Sequence, residues 1–195
     1  KSKSFWKYFY PKLQQVFPRP FETVSFADFY AAHNRIKPTL IRTEADEVTY
    51  DLHIVIRFEI EKELIEGRIK AKDLPAIWRD KMKEYLGVEV PSDALGVLQD
   101  EHWADGLFGY FPTYSFGNLY AAQFYQQLEK DISDLDKQIA KGNFTPILVW
   151  LRKNIHLRGK TDTAAALVKK VTGEDLDPKY FATYLEKKYG EIYRL

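Results

Sequence analysis

The sequence contains no cysteine at all, which removes three kinds of chemistry together. Disulfide bonds, thiolate zinc sites and thiol nucleophiles are excluded, and this absence is typical of a reducing cytoplasm. No apolar run approaches the roughly 18 residues that a transmembrane helix needs. The net charge of +1 gives no overall field to attract nucleic acid or an anionic membrane. We therefore expect a cytoplasmic protein that binds neither.

Several catalytic motifs are missing as well. The chain has no glycine-rich phosphate loop and no serine in a nucleophile-elbow context. None of its four histidines is spaced four residues from another, and no His-Glu-x-x-His occurs. A complete zinc site built by this chain alone is therefore not expected. A self-contained metal site that uses His53, His102 and His156 with neighbouring acids stays open as a third interpretation.

Aromatic residues, in contrast, are abundant. They make up 15% of the 195 residues, with 13 Tyr, 13 Phe and 4 Trp. Large rings can fill a core between helices, or they can line a groove for a peptide or a sugar. Hydrophobic residues at 45% and charged residues at 29% are the ordinary balance of a globular protein with a sizeable core.

Helical spacing and end signals predict one all-α unit over residues 1–195. The predicted helices cover residues 4–17, 26–37, 44–66, 73–85, 114–130, 131–141, 144–154, 164–172 and 178–189. Ser25, Asp73 and Thr163 stand where helix caps are expected. Residues 44–66 also alternate as a strand would. A strand of that length is unusual, so we favour one long, buried helix that ends at Gly67.

Arg42 stands just ahead of that predicted helix. Thr43, Glu44 and Asp46 are an ordinary helix start, because carboxylates favour the positive end of the helix dipole. A cation is unfavourable at the same place. An arginine there often meets a carboxylate from elsewhere, which its planar fork binds well. That carboxylate can belong to this chain or to a ligand.

Residues 96–103 read Gly-Val-Leu-Gln-Asp-Glu-His-Trp and are followed by an aromatic, Gly- and Pro-rich segment. The His102 imidazole can donate a hydrogen bond to a developing oxyanion, and the phenols of Tyr110 and Tyr114 can do the same. The alternative is an aromatic plug in which the polar tips bond to the backbone. Upstream, His53, Arg57 and Glu59 on one element suggest either a polar network or an ordinary helix face.

Two segments resemble motifs of a known family. Residues 41–46 match Ile-Arg-x-x-Ala-Asp, and residues 96–103 match Gly-x-x-Gln-Asp-x-His-Trp. Both motifs, in this order, are similar to those of the carboxypeptidase Taq family, the thermostable carboxypeptidase 1 group. The resemblance runs the whole length of the chain. It implies a helical, neurolysin-like metallopeptidase fold with a substrate groove, in a cytoplasmic and usually dimeric enzyme that removes single C-terminal amino acids from peptides.

The sequence departs from that family in one respect. Members bind zinc or cobalt through a His-Glu-x-x-His motif and through a later Glu in a His-Glu-Ser-Gln-like motif. Neither motif is present in this sequence. The resemblance therefore implies the C-terminal portion of a larger metallocarboxypeptidase, whose N-terminal half carries the metal ligands. We expect no bound metal and no catalysis by this chain alone. The alternative is a non-catalytic helical module that binds a peptide without cleaving it.

The resemblance also implies roles for particular residues. Arg42 would recognise the terminal carboxylate of the substrate or close the groove beyond it. His102 and Tyr114, with Tyr110 as a second candidate, would hydrogen-bond the scissile carbonyl or its oxyanion. The remaining residues would support these groups, with Gln99 and Asp100 orienting His102. The supporting residues are Gln99, Asp100, Asp46 and Trp103.

Overall fold

The computed structural model describes residues 2–195, and its class is all-α as predicted. Ten α-helices and four short 3-10 turns account for the regular structure of these residues, which contain no strand. The helices are α1 Lys3–Val16, α2 Pro18–Phe21, α3 Phe26–His33, α4 Tyr50–Ile65, α5 Leu74–Leu86, α6 Pro112–Asp131, α7 Leu135–Ala140, α8 Thr145–Asn154, α9 Ala164–Thr172 and α10 Lys179–Tyr193. None of them is long and apolar enough to cross a membrane.

Side-chain caps fix several helix starts. The Ser25 hydroxyl accepts a hydrogen bond from the Asp28 amide, and the Thr163 hydroxyl accepts one from the Ala166 amide. Both caps are confirmed, since each satisfies a backbone N–H that has no partner inside the helix. Asp73 does precede α5, but its carboxylate accepts from the Lys70 amide instead. Asp73 therefore stands directly before α5, as predicted, but its side chain does not cap that helix.

The predicted start of the long helix at residue 44 is wrong. Arg42–Glu44 forms a single 3-10 turn, and α4 begins only at Tyr50. The Asp46 carboxylate accepts hydrogen bonds from the amides of Val48 and Thr49. Acidic residues close to one another look like a first helical turn in the sequence. Here the carboxylate stabilises a turn that precedes the helix, a local competition typical of Asp.

Other helix ends differ from the predictions by a few residues. Helix α3 ends at His33 rather than near residue 37, because Asn34 closes it with its own amide and side chain on the Tyr30 carbonyl. The prolines after α1 start the short α2 instead of leaving an open break, as proline is favoured at a first helical position. Helix α10 continues past residue 189 to Tyr193.

Contacts along the chain group into two compact units. Unit 1 comprises Lys1–Asn34 with Asn118–Leu195, and unit 2 comprises Arg35–Gly117. The sequence predicts one helical unit over residues 1–195 and gives no sign of this grouping. The predicted helical class is correct for both units. That the chain is the C-terminal part of a larger enzyme stays a prediction.

The core of unit 2 lies between α4 and α5. Its buried side chains are Ile56, Ile60, Trp78, Met82, Leu86 and Val90. Trp103 packs on the edge of this cluster, with its ring centroid 6.3 Å from that of Trp78 and nearly perpendicular to it. This aromatic contact joins the predicted motif segment to the helical core.

Unit 1 has its own core and its own aromatic contacts. The buried members of its core are Leu128, Leu135, Ile139 and Trp150, from α6, α7 and α8. Phe5 of α1 packs against this cluster. The first Trp, Trp6, contacts the rings of Phe29 and His33 edge to face. The many rings of the sequence here serve helix packing, one of the two uses that their abundance indicated.

Candidate functional site

The site residues expected from the sequence lie together in unit 2, whereas His156 belongs to unit 1. They are carried by the Arg42–Glu44 turn, by α4, by the segment of residues 96–111 and by the first turn of α6. The two motifs, more than fifty residues apart in the chain, meet through side chains. We name the residues of this meeting point the polar cluster: Arg42, Tyr50, His53, Arg57, Asp100, His102 and Tyr114.

Asp100 lies between two arginines. Its Oδ1 atom accepts from Arg42 Nη2 at 2.7 Å and from Nε at 3.2 Å, and its Oδ2 atom accepts from Arg57 Nε at 2.6 Å. Arg42 is thus an arginine that meets a carboxylate from elsewhere in its own chain. Arg42 Nη1 also donates to the Tyr50 hydroxyl at 3.0 Å. All these bonds involve ionised groups, which makes them the stronger kind.

Burial and charge act against each other in these groups. Burial alone would raise the pKa of Asp100, but the hydrogen bonds and charges of Arg42 and Arg57 outweigh it and lower that pKa. Burial likewise lowers the pKa of Arg42, and Asp100 reverses the direction and raises it. For Arg57, burial dominates and lowers the pKa to about 10. All three groups are therefore charged at neutral pH.

His53 is the buried neutral member of the polar cluster. Its side chain is fully buried, and neither ring nitrogen has a hydrogen-bond partner in residues 2–195. Burial, followed by the charges of Arg57 and Arg42, lowers the pKa of His53 to about 4. The imidazole is neutral at physiological pH and adds no further positive charge beside the arginines.

His102 and Tyr114 form a hydrogen-bonded pair. The His102 Nε2 atom lies 3.0 Å from the Tyr114 hydroxyl, and the Arg42 guanidinium lies 4.7 Å from the centroid of the Tyr114 ring. The ring of Tyr110 is 5.5 Å from the imidazole and is more exposed. Histidine, phenol and guanidinium thus lie within one small region, where the bond between His102 and Tyr114 occupies one of their donors. Such a set can bind a carbonyl oxygen, an oxyanion or a carboxylate.

Two of the expected supporting residues have other partners. The Gln99 side-chain amide donates to the carbonyls of Leu40 and Leu95, at 2.7 and 2.9 Å, and not to His102. Asp100 Oδ1 is 3.9 Å from His102 Nδ1, within ion-pair range but too far for a hydrogen bond. Gln99 therefore joins the motif segment to the backbone before Arg42. Asp46 supports the same region through the turn ahead of α4.

Glu61 is a residue of the site region that the sequence did not single out. It is 5% exposed, and it accepts from the Trp103 indole at 2.8 Å and from the backbone amide of Gly109. Gly109 has a φ of +77°, which favours glycine. His53, Arg57 and Glu61 are spaced four residues apart on the buried face of α4. This spacing of four places the three residues on one helix face, and it could have identified Glu61 from the sequence. Glu59, which was considered instead, does not share that spacing.

Glu59 has a different environment from Glu61. Its carboxylate accepts from Lys81 and from the Tyr85 hydroxyl, at 2.7 and 2.8 Å, between α4 and α5. Its side chain is 34% exposed. The network suggested from the sequence is therefore not found in this form, because Glu59 bonds to Lys81 and Tyr85 while the His53 ring nitrogens have no partner in residues 2–195.

Gly96 begins the second motif for a reason of space. A Cβ atom at this position would lie 2.7 Å from Val90 Cγ1, 3.1 Å from the Ser92 carbonyl oxygen and 3.4 Å from Trp78 Cδ1. Only a residue without a side chain allows the segment to approach the core so closely. The glycine of the motif thus lets the backbone pass close to Val90 and Trp78, four residues ahead of Asp100.

The part of the chain that the structure describes offers no cluster for a metal ion. No group of three or more His, Asp or Glu side chains that could hold one occurs within residues 2–195. The fully buried imidazole of the polar cluster, His53, lies beside two arginines, a setting that repels a cation. The interpretation of a self-contained metal site therefore has no cluster in the described residues on which to rest.

Solved structures of the same fold define the class of the protein. A crystal structure titled as an M32 carboxypeptidase from Deinococcus radiodurans R1 superposes with a TM-score of 0.96 at 36% identity, covering 100% of this chain and 39% of that one. A structure titled Trypanosoma cruzi metallocarboxypeptidase 1 gives a TM-score of 0.91 at 37% identity, over 96% of this chain and 39% of that one. The fold is that of the helical metallopeptidases.

The family follows from the sequence comparison. The model of the family described as carboxypeptidase Taq (M32) metallopeptidase matches residues 1–189. Carboxypeptidase 1 of Bacillus subtilis is 44% identical over 195 residues, and thermostable carboxypeptidase 1 of Thermus thermophilus is 47% identical over 193. The chain belongs to the carboxypeptidase Taq family. It spans 39% and 38% of the length of these two relatives.

Proposed function

We propose that this chain forms part of the substrate-binding wall of a metal-dependent carboxypeptidase that releases single C-terminal amino acids from peptides. Family membership supports the reaction class. The observation that carries the proposal is the meeting of Arg42, His102 and Tyr114, with His102 Nε2 and the Tyr114 hydroxyl 3.0 Å apart. These groups suit the two features common to every such substrate, a scissile carbonyl and a free terminal carboxylate.

In this proposal, His102 and Tyr114 stabilise the oxyanion that develops on the scissile carbonyl. The hydrogen bond between His102 Nε2 and the Tyr114 hydroxyl holds the two side chains side by side before the substrate arrives. With Nε2–H donating to the phenol oxygen, the phenol O–H is free to donate to the oxyanion, and a donor held in place lowers the barrier because it need not reorganise. The imidazole N–H joins it when the substrate carbonyl takes the place of the phenol oxygen as acceptor. Tyr110, with its ring 5.5 Å from His102, is the second candidate donor.

Arg42 binds the terminal carboxylate in the same proposal. Its guanidinium carries five N–H donors. Nε and one N–H each of Nη1 and Nη2 are bonded to Asp100 and Tyr50. Two N–H groups therefore remain for a carboxylate of the substrate. A guanidinium matches a carboxylate in both shape and charge.

The metal of the proposed enzyme must be held by residues outside this chain. A divalent ion such as zinc or cobalt supplies Lewis acidity and an activated water in metallopeptidases, and the described residues offer it no ligand cluster. We propose that a longer polypeptide, dimeric as a whole, provides this half of the site. The part of the chemistry assigned to this chain is binding, orientation and charge stabilisation.

Kinetics of the complete enzyme test the oxyanion role. We expect His102→Ala and Tyr114→Phe each to lower kcat on the order of 100-fold, because one oxyanion donor is lost. Tyr85→Phe is the matched control, since its hydroxyl bonds to Glu59 away from the polar cluster. If both site variants kept kcat/KM within about twofold of wild type, His102 and Tyr114 would not be oxyanion donors.

Measurements on the same complete enzyme distinguish the carboxypeptidase proposal from the non-catalytic alternative. A peptide-binding module would retain peptide affinity in titration calorimetry and would release no amino acid when zinc or cobalt is added. The lack of a metal cluster in residues 2–195 is the observation that favours it. Metal-dependent release of a C-terminal residue by the complete protein would exclude the module interpretation.

A further inference from the structure

Arg57 is the most deeply buried charge of the protein's site region, and the proposed chemistry gives it no direct task. Its side chain is 0% exposed on the inner face of α4. Burying a guanidinium is costly unless it is paired and hydrogen-bonded. Arg57 donates to Asp100 Oδ2 and, at 2.9 Å from Nη1, to the His53 carbonyl, and it lies 4.6 Å from the Trp78 ring. These contacts fix its direction within the core.

The Asp100 carboxylate is divided between the two arginines. A single arginine facing a carboxylate usually forms two parallel bonds, one to each oxygen. Here Arg42 directs both its Nε and its Nη2 to Oδ1, since Oδ2 is already held by Arg57 at 2.6 Å. Asp100 therefore holds Arg42 in place through one oxygen only and does not fully neutralise its charge.

Because Asp100 pairs with both arginines, it also determines the net charge of Arg42, Arg57 and Asp100 taken together. Two guanidinium ions share one carboxylate, and the imidazole beside them is neutral at physiological pH. One positive charge thus remains uncompensated among Arg42, Arg57 and Asp100. Because Arg57 is enclosed, the charge is accessible to a ligand only through Arg42, whose side chain is 8% exposed.

We propose that Arg57 is a positioning residue, which holds one oxygen of Asp100 so that Arg42 keeps its charge and two N–H donors for the substrate's terminal carboxylate. The inference rests on the proposed function, because it takes Arg42 as the carboxylate-binding group. Without Arg57, Asp100 turns to pair with Arg42 through both oxygens. The resulting neutral pair has little attraction for a second carboxylate.

The test compares KM and kcat in the complete, metal-loaded enzyme with an N-blocked dipeptide as the substrate. We expect Arg57→Met to raise KM about tenfold or more, because the charge-assisted contact between Arg42 and the terminal carboxylate is lost. We expect kcat to change by less than about threefold, because the lost interaction acts on the bound substrate and the transition state alike. The matched control is Arg79→Met on α5, whose ion pair with Asp93 is exposed. It leaves both constants unchanged.

A double variant separates positioning from simple support of the fold. Arg57→Met combined with Asp100→Asn removes one positive and one negative charge together, so Arg42 again carries an unpaired charge. We expect the double variant to recover KM to within about threefold of wild type. If Arg57 served only to stabilise the core, the double variant would be at least as impaired as Arg57→Met, and the inference would be overturned.

Failure of this inference is distinct from failure of the proposed function. If Arg42→Met raises KM and Arg57→Met does not, the carboxylate role of Arg42 stands and the role of Arg57 is lost. If Arg42→Met leaves KM unchanged, the proposed carboxylate site itself is wrong. Should Arg57→Met fail to fold, Arg57→Lys decides, because lysine keeps the charge. KM within about threefold supports the inference, and a rise of about tenfold overturns it.

Discussion

At the scale of single residues, the site contains polar side chains whose burial costs free energy of folding. His53 illustrates this cost, since it is 0% exposed and both ring nitrogens lack a partner in the described residues. Arg57 and Arg42 lie close enough to oppose its protonation, and the charges of Asp100 and Asp46 favour protonation less strongly. The residue therefore links the stability of unit 2 to pH.

We predict that protonation of His53 lowers the stability of unit 2 in acid. Its pKa is about 4 when folded and 6.5 ordinarily, so the unfolded chain binds the proton first. The stabilisation is complete above about pH 6.5, and on the order of 3 kcal/mol is lost as pH falls to about 4. Urea titrations over that range measure it.

The matched variants are His53→Gln and His156→Gln, the second of which changes an exposed histidine. His53→Gln is expected to flatten the dependence of the unfolding free energy on pH between about 6.5 and 4, and His156→Gln to leave it as it is. An unchanged slope in His53→Gln would show that other groups, such as Asp100, cause the acid sensitivity.

A second prediction at this scale concerns Gly96. Gly96→Ala is expected to destabilise the protein by about 1–3 kcal/mol, because the new methyl group overlaps Val90 and the Ser92 carbonyl. Gly117→Ala is the control, since it stands inside α6 and nothing lies within 4 Å of the place that its methyl group would take. Thermal unfolding should separate the two variants, and equal melting temperatures would contradict the packing argument.

At the scale of elements, α4 organises the site although neither motif lies on it. His53, Arg57 and Glu61 follow one another along its buried face. Arg57 holds Asp100, and Glu61 holds Trp103 and Gly109. The helix thus positions both ends of the segment that carries His102. A regular helix gives that irregular segment its fixed conformation.

We predict that Glu61→Gln loosens this segment without unfolding the protein. Trp103 and Gly109 donate to different oxygens of the Glu61 carboxylate, so in the amide one of them faces the NH₂ donor instead of an acceptor. The mismatch should cost about 1–3 kcal/mol. Hydrogen exchange measured by mass spectrometry should become faster in residues 96–111.

The control for this exchange experiment is Glu59→Gln. Glu59 lies on the same helix and also accepts two hydrogen bonds, but these link α4 with α5 and are more exposed. Its substitution should leave exchange in residues 96–111 as in the unaltered protein. If the two variants behaved alike, Glu61 would have no specific hold on the segment.

At the scale of the whole molecule, two compact units share the sequence, and every residue of the polar cluster lies in Arg35–Gly117. The chain spans 38–39% of the curated relatives it matches. The family's metal-dependent reaction therefore calls for groups that the described residues do not offer as a cluster.

We predict that the 195-residue chain alone releases no amino acid from peptides, with or without added zinc or cobalt. Stabilisation of an oxyanion has no effect where no activated water attacks the carbonyl. An assay of free amino acid, run beside the complete enzyme as positive control, measures this. Release by the chain alone, together with stoichiometric zinc binding, would restore the interpretation of a self-contained metal site.

The sequence by itself determined the helical class, the family and the two motifs around Arg42 and Asp100. Helical periodicity and caps such as Ser25 and Thr163 act over a few residues, so they can be read locally. The same local reading failed at Glu44, where an acidic turn resembles a helix start. The Asp46 carboxylate accepts from nearby backbone amides in this turn, as an acidic side chain also does in the first turn of a helix.

Only the tertiary structure decided which groups share Asp100, and that Glu61 rather than Glu59 supports the motif segment. These pairings join positions more than forty residues apart, and no local pattern specifies them. They follow from the packing of α4 against the segment of residues 96–111. Burial then sets the charges, since it keeps His53 neutral and leaves one positive charge beside Asp100.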